Sequence, residues 1–158
     1  MLNQAPLDHA WIAGHIPHRG RMCLLDQVED WDQQRVQCRA GSHRAADNPL
    51  RACGRLSAAC GIEYAAQAMA VHGALLAPSA SASPRCGYLV SVRNTQLHVP
   101  RLDDIDADLL VSATCITRSE NTILYRFSIS AAARTLLDGR AAVIIDADLL
   151  SANSGESS

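Results

Sequence analysis

A run of basic residues is missing from this 158-residue sequence, and only 4% of its residues are aromatic. The formal net charge is -2 at pH 7. Proteins that bind nucleic acids use clustered Lys and Arg on the phosphates and aromatic side chains on the bases. The composition therefore excludes nucleic acid from the expected partners.

Long apolar runs are missing too. No segment approaches the roughly 18 consecutive apolar residues of a membrane-spanning helix, so no span is predicted. The N-terminal stretch MLNQAPLDHAWIAGHIPHRG does not join a basic start to a long apolar segment, so we expect no signal peptide and a cytoplasmic protein. The length fits one domain over 1–150, followed by a disordered tail over 151–158.

Paired cysteines are also missing. The six cysteines are spread along the chain without a C-x-x-C pair, so neither a zinc site nor a redox site is predicted. A free thiol packs as a small hydrophobic group. We therefore predict reduced thiols in the core at Cys23, Cys38, Cys53, Cys60, Cys86 and Cys115.

The secondary-structure pattern is two strands, one long helix and four further strands. A polar, turn-rich loop at 41–55 precedes the helix, for which Ser57 is the predicted N-cap. Turns are predicted at 119–121 and 131–134, and Gly139 as a β-bulge. The predicted elements are strands at 22–28 and 35–40, a helix at 57–76, and strands at 87–99, 107–117, 122–130 and 135–146.

This order of elements predicts the fold. No second helix is long enough to cross over between parallel strands, so the sheet should be antiparallel. The helix is apolar on every side and rich in Ala and Gly, so one sheet must curl around it. The expected class is α+β, with an antiparallel sheet wrapped around one long central helix, which is the hot-dog fold.

The apolar helix carries one carboxylate. Glu63 and Gln67 are four residues apart and share a helix face. An unpaired carboxylate among aliphatic side chains should have a raised pKa, which suits a general acid. The alternative is a structural Glu63 that bonds to nearby backbone or pairs with an arginine such as Arg93.

Two motifs resemble those of a known family. The segment GIEYAAQA resembles the E-x-x-x-Q-A helix motif of the FabA/FabZ-type 3-hydroxyacyl-ACP dehydratases, which have the hot-dog fold. Upstream, IPHR followed by MCLLDQV resembles the P-H-R loop and first strand of that family. Order and spacing agree over about 10–147, and IPHRGRMCLLD with GIEYAAQAMA is most similar to the ApeP-like branch associated with aryl-polyene synthesis.

The resemblance implies a reaction. A 3-hydroxyacyl chain on the phosphopantetheine of an acyl carrier protein would enter a tunnel beside the helix and lose water, without metal or organic cofactor. Glu63 would be the catalytic acid and Gln67 would orient it. Backbone N–H groups near Cys60 and Gly61 would polarise the thioester carbonyl. The expected assembly is a homodimer, or a heterodimer with a second hot-dog dehydratase.

The catalytic base of the family is not found by motif. Its histidine belongs to a G-H-F-P loop before the helix, and the segment NPLRACGRLSAACGIE lacks that motif. Three sources remain open. His18 could be the base or could stabilise its loop; His43 could be the base or a solvated loop residue; or a partner subunit could supply the base.

Two other functions remain open for the same fold. In an acyl-thioesterase, Glu63 would activate water for hydrolysis. In a non-catalytic subunit, the chain would stabilise an active partner, as the missing G-H-F-P loop suggests.

The remaining candidate residues give weaker signals. His15 and His18 flank Pro17, which disfavours a metal-binding pair. His72 should face away from Glu63, and His98 is expected to be an ordinary strand residue. Ser57 lacks the context of a nucleophile. Arg93 could contact the acyl carrier or its phosphopantetheine, although a solvated arginine is the simpler interpretation.

Overall fold

The computed structural model describes residues 7–18, 20–77 and 87–145. Short 3-10 segments occupy Gly20–Met22, Ser42–Arg44 and Ala58–Cys60. The helices and strands, in chain order, are β1 (Leu7–Asp8), α1 (His9–His15), β2 (Gln27–Trp31), β3 (Arg35–Ala40), α2 (Gly61–Leu76), β4 (Gly87–Leu97), β5 (Leu109–Arg118), β6 (Thr122–Ala131) and β7 (Arg134–Ile145).

The seven strands form one sheet in the order β1-β2-β3-β5-β6-β7-β4. Every neighbouring pair is antiparallel. The long strand β4 forms one edge of the sheet, and the two-residue strand β1 forms the other. The architecture confirms the predicted α+β hot-dog fold. The predicted tail at 151–158 lies outside the described residues.

Period-two alternation builds the face that packs on α2. In β6, Ile123, Tyr125, Phe127 and Ile129 are buried, while the residues between them are more exposed. The same alternation runs through β3 and β5. Because successive strand residues point to opposite faces, one face of the sheet becomes a continuous apolar surface for the helix.

The cap predicted at Ser57 is present, although the α-helix itself begins only at Gly61. The Ser57 hydroxyl accepts a hydrogen bond from the Ala59 amide at 3.3 Å, and one 3-10 turn leads into α2. Gly61 allows the helix to approach the sheet closely, since a Cβ there would lie 2.7 Å from Leu137 Cδ2 and 3.0 Å from Ile129 Cδ1.

The helix is enclosed on one side only. Tyr64, Ala65 and Ala68 are buried, whereas Ala66 and Ala70 on the other side are partly exposed. The predicted sheet wraps around the buried side of the helix, and the opposite side is partly open in this chain. A strip of small residues on α2 remains available for another surface.

The first predicted strand is shifted. Met22, expected to start it, instead ends a 3-10 turn, residues 23–26 are outside any strand, and β2 begins only at Gln27. The reason is that side chains hold this segment: the Leu24 amide donates to Gln67 Oε1 at 2.9 Å, and its carbonyl accepts from Ser42 Oγ at 2.8 Å. The elements β1 and α1 were not predicted; Asp8 caps α1 by accepting from the Trp11 amide at 3.0 Å.

The predicted turn at 131–134 is confirmed, and both of its central residues, Ala132 and Ala133, have positive φ. The predicted bulge at Gly139 is wrong. The extra residue lies in β4, where the register shifts between Arg93 and Gln96 opposite Gly139. Gly139 stays in register with Phe127, and a Cβ there would lie 2.9 Å from the Phe127 ring.

The prediction that all the cysteines are core thiols is wrong at Cys53. Of the five described thiols, Cys23 and Cys38 are buried, but Cys53 is exposed in the loop before α2. Its φ of 53° lies in the left-handed region, which is typical of turns. Cys86 lies outside the described residues. Neither described helix has the length and apolarity to cross a bilayer.

Candidate active site

Gln67 fastens the loop before β2 to the central helix. Its Oε1 accepts from the Leu24 amide at 2.9 Å, and its Nε2 donates to the Met22 carbonyl at 2.7 Å. The side chain is fully buried. Because buried backbone groups need partners, these two bonds fix the path of the loop across the first turns of α2.

The fastened loop brings His18 to Glu63. Glu63 lies one turn before Gln67, and its Oε1 accepts from Gln67 Nε2 at 3.2 Å. The same oxygen lies 3.0 Å from Nε2 of His18. The side chains of His18 and Glu63 are 24% and 33% exposed, so solvent or a ligand can reach the pair. The structure thus unites three predicted site residues.

The pKa of Glu63 is shifted opposite to the prediction. The hydrogen bond from His18 lowers it below its ordinary value, burial opposes this, and the Gln67 bond lowers it further. The expected raised pKa was wrong because it counted only aliphatic neighbours. Glu63 is therefore ionised at neutral pH, a form that can accept a proton but cannot donate one.

The alternative pairing of Glu63 with Arg93 is also wrong. Arg93 lies in the edge strand β4, directly opposite Arg140, and is exposed. Of the carboxylates in the described part of the chain, none forms an ion pair with it.

His18 has one nitrogen to spare. Its Nδ1 is buried and has no hydrogen-bond partner among the described residues. With Nε2 directed at a carboxylate, the imidazole can hold a second proton or accept one at Nδ1. The pair can therefore relay a proton between an anionic oxygen and an imidazole.

The two amides predicted to polarise a carbonyl are already bonded. The Cys60 N–H donates to the Ser57 carbonyl at 2.9 Å, and the Gly61 N–H donates to the carbonyls of Ala58 and Ala59. The premise that Cys60 and Gly61 present free amides is wrong, because the helix starts with a 3-10 turn that uses them.

His43 does not lie in solvent. It is fully buried, and its Nε2 is 2.9 Å from the Ile105 carbonyl. Burial lowers its pKa. The interpretation of His43 as a solvated residue is therefore wrong. Its contact with Ile105 is that of a structural imidazole between the loop and the segment before β5.

The other histidines also lie outside the site. His72 is buried, with Nδ1 2.8 Å from the Tyr125 hydroxyl and Nε2 2.9 Å from the Asp32 carbonyl. His98 pairs with Asp138 at 3.0 Å. Over the described residues, no three His, Cys, Asp or Glu side chains converge as metal ligands would.

Sequence reasoning missed a polar cluster next to Glu63. The Tyr64 hydroxyl lies 2.7 Å from Ser42 Oγ and accepts from Asn48 Nδ2 at 3.1 Å. Tyr64 and Asn48 are buried, and Ser42 Oγ also donates to the Leu24 carbonyl. The cluster ties the loop over 41–50 to the loop that carries His18. The sequence signal that could have indicated this cluster is the tyrosine, Tyr64, directly after the lone glutamate of an apolar helix.

The sequence matches the model of a known family. The family model described as ApeP-like, ApeP dehydratase, matches residues 11–152. None of the curated proteins is a significant match to the sequence.

Several solved structures share the fold. A chain of the dehydratase heterocomplex ApeI:P from Xenorhabdus doucetiae is similar with a TM-score of 0.75 and 22% identity, over 85% of this chain and 90% of that one. A thioesterase from Haemophilus influenzae has a TM-score of 0.57 and 10% identity, over 85% and 81% of the two chains. A hypothetical thioesterase with coenzyme A from Streptococcus pneumoniae has a TM-score of 0.56 and 12% identity, over 75% and 84%. At these identities the likeness concerns the fold alone.

Proposed function

Because the chain belongs to the ApeP-like family of dehydratases, we propose that it is a 3-hydroxyacyl-thioester dehydratase, or a subunit of one. It eliminates water from the substrate to leave a trans-2-enoyl thioester. The observation that supports this most directly is the contact between His18 and Glu63, which joins the two motifs of the sequence in one half-buried acid–base pair.

The ionised state of Glu63 suggests which of the two side chains is the general base and which is the general acid. The elimination removes a proton from Cα, breaks the C–O bond at Cβ and protonates the departing hydroxyl. In the proposal, the Glu63 carboxylate takes the Cα proton and a protonated His18 gives its proton to the hydroxyl, which leaves as water. The proton on Glu63 then crosses the 3.0 Å contact to His18, and the starting pair is restored.

The family resemblance implies the reverse assignment, in which Glu63 is the acid. That assignment requires a base from elsewhere, and a partner subunit is the proposed source. It also requires Glu63 to carry a proton in the assembled enzyme, against the lowered pKa of the isolated chain. The two assignments differ in whether His18 is essential.

We place the reaction in the cytoplasm on an acyl chain carried by the phosphopantetheine of an acyl carrier protein, with neither metal nor organic cofactor. The proposed partner is a second hot-dog dehydratase, with a homodimer as the alternative. Support comes from the similar chain in the dehydratase heterocomplex ApeI:P, from the long edge strand β4, and from the small-residue strip on α2. An open strand edge favours pairing with another sheet.

The test is a dehydration assay on a 3-hydroxyacyl pantetheine thioester and on its carrier-linked form. Formation of the enoyl thioester is followed for the chain alone and for the chain with the hot-dog protein that copurifies with it. We expect the enoyl product in at least one of these samples. Absence of the product from both would overturn the proposal.

Hydrolysis is the second candidate, and one observation favours it. An ionised carboxylate is the form that activates water, so the lowered pKa of Glu63 suits a thioesterase as well. Product analysis separates the two reactions, since hydrolysis releases a free thiol and a 3-hydroxy acid. A non-catalytic subunit would instead leave Glu63→Gln without effect in the assembled complex.

A further inference from the structure

Three arginines lie side by side on the sheet face turned away from α2. Arg126 of β6 is directly opposite Arg140 of β7, and Arg140 is directly opposite Arg93 of β4. All three are exposed. Neighbouring strands are about 4.8 Å apart, so this arginine row extends about 10 Å across the sheet and ends at its open edge.

The row costs stability within the chain. Like charges directly opposite each other on a sheet repel. Over the described residues, no carboxylate pairs with any of the three, whereas Arg35, at the same level in β3, pairs with Asp30 at 2.5 Å. Asp138, on the same face of β7, is engaged by His98. Within the described chain, the charges of the three arginines are therefore met only by solvent, and they are available to an acidic surface.

Apolar side chains lie beside the row. Leu124 and Ile116 are 41% and 40% exposed, among the largest exposures of apolar side chains in the described chain. Together with two of the three arginines, Arg93 and Arg140, they border a shallow recess of about 390 Å³, whose lining also includes Ser91 and Ala142. Arginine combined with exposed apolar side chains is typical of protein–protein interfaces.

The row is separated from the candidate active site by the sheet itself. Leu137 and Ile129 lie on the opposite face, where they contact the start of α2 at Gly61. A substrate bound at Glu63 cannot reach the arginines through a continuous sheet. The row therefore lies apart from the candidate active site, and a line of charges on an open face fits a protein surface better than a small anion.

A two-fold contact centred on the row is disfavoured for a second copy of the chain. In a two-fold contact through this face, each copy presents the same patch to the other. The arginine row of one copy would meet that of its neighbour, and the repulsion would oppose the contact.

We propose that the surface around Arg93, Arg126 and Arg140 docks a different protein chain, whose surface carries carboxylates beside apolar side chains. The same arginines prevent two copies of this chain from packing through this face. The inference concerns association and does not depend on which thioester reaction the enzyme catalyses.

The experiment places a photocrosslinking amino acid at position 124, in the recess beside the row, in the full chain expressed in its own cells. Crosslinked peptides are identified by mass spectrometry. The row variant is Arg93→Thr, Arg126→Thr and Arg140→Thr, with threonine chosen because Thr114 already occupies this level of the sheet. The charge-matched control is Arg55→Thr, Arg118→Thr and Arg134→Thr, at three exposed arginines outside the row.

We expect one non-identical chain to be captured through an acid-rich peptide. Its yield should fall about tenfold or more in the row variant and persist in the control. Because the repulsion among the arginines is removed, the row variant should unfold at a melting temperature at least as high as that of the control at low salt. This measurement also checks that the row variant folds. Capture of a second copy, capture of no chain, or equal yields from both variants would overturn the proposal. The proposal would also be overturned if no chain is captured and calorimetry shows that pyrophosphate binds the parent protein but not the row variant.

Discussion

Nε2 of His18 lies 3.0 Å from Oε1 of Glu63, and that same oxygen also accepts from Gln67. Two donors on one carboxylate oxygen favour the ionised acid and fix its direction. Gln67 at the same time holds the backbone of the loop that carries His18. One amide side chain therefore sets both the geometry of the pair and the position of its histidine.

Glu63→Gln should keep the hydrogen bonds to its neighbours but remove the proton acceptor. We expect kcat on a 3-hydroxyacyl thioester to fall at least about 10²-fold, the usual contribution of a general acid or base. Glu120→Gln, in the turn before β6, is the matched control and should be silent. Thermal unfolding checks that both variants fold. An active Glu63→Gln variant would remove this side chain from the mechanism.

The variant His18→Asn distinguishes two hypotheses. In one, His18 and Glu63 of the same chain form the acid–base pair; in the other, a partner subunit supplies the histidine. If His18 donates the proton to the hydroxyl, kcat should fall at least about 10²-fold both alone and with the companion subunit. The control is His98→Asn, since His98 forms a histidine–carboxylate pair with Asp138 at the same 3.0 Å distance but outside the site. A complex that keeps full activity with His18→Asn would show that the partner supplies the histidine.

The dependence of kcat/KM on pH reports the role of Glu63. The hydrogen bond from His18 holds the pKa of Glu63 below the ordinary value of 4.5, so the carboxylate is mostly ionised above about pH 5. As a base it should support a rate that its own titration does not reduce between about pH 5 and 7. As an acid, working with a base that stays deprotonated throughout, it should lose about tenfold in rate per pH unit over that range. A profile that falls in this way, and flattens in Glu63→Gln, would contradict the base assignment.

The fold could be predicted from the sequence because its signals are local. The length of the apolar segment indicated the helix from Ser57 to Leu76, and alternation with turn residues indicated β4 to β7. Glu63 and Gln67 share a face by helix geometry alone. By contrast, the contact of Glu63 with His18 depends on bonds from Gln67 to a loop 43 to 45 residues away in the chain, which no local pattern encodes. That unseen neighbour reversed the expected direction of the pKa shift.

Two buried histidines should make the fold sensitive to mild acid. Burial lowers the pKa of His43 and of His72, whereas in the unfolded chain a histidine titrates near about 6.5. Below that pH the unfolded state binds more protons than the folded state, so the free energy of unfolding falls as the pH decreases. The stabilisation is fully present only above about pH 6.5.

Urea unfolding between about pH 7.5 and 5.5 measures this decline. His72→Gln should be less stable at pH 7.5, because His72 bonds Tyr125 and Asp32, but should lose less stability on acidification. His15→Gln, at an exposed histidine, should follow the parent protein. A parent protein whose unfolding free energy is constant over this range would refute the role assigned to burial.

Two glycine-to-alanine substitutions should change stability in opposite directions. A Cβ at Gly61 would lie 2.7 Å and 2.9 Å from the two methyl carbons of Leu137, so the start of α2 must move from the sheet or the core must repack. Overpacking of this kind costs about 1–3 kcal/mol.

At Gly14 in α1 nothing lies within 4 Å of the added methyl, so alanine should stabilise the helix by up to about 1 kcal/mol. Chemical denaturation measures both free energies, and activity of Gly61→Ala should fall as well, since Glu63 is carried on the displaced turn. A Gly61→Ala variant as stable as Gly14→Ala would mean that the helix start is not held against Leu137 and Ile129.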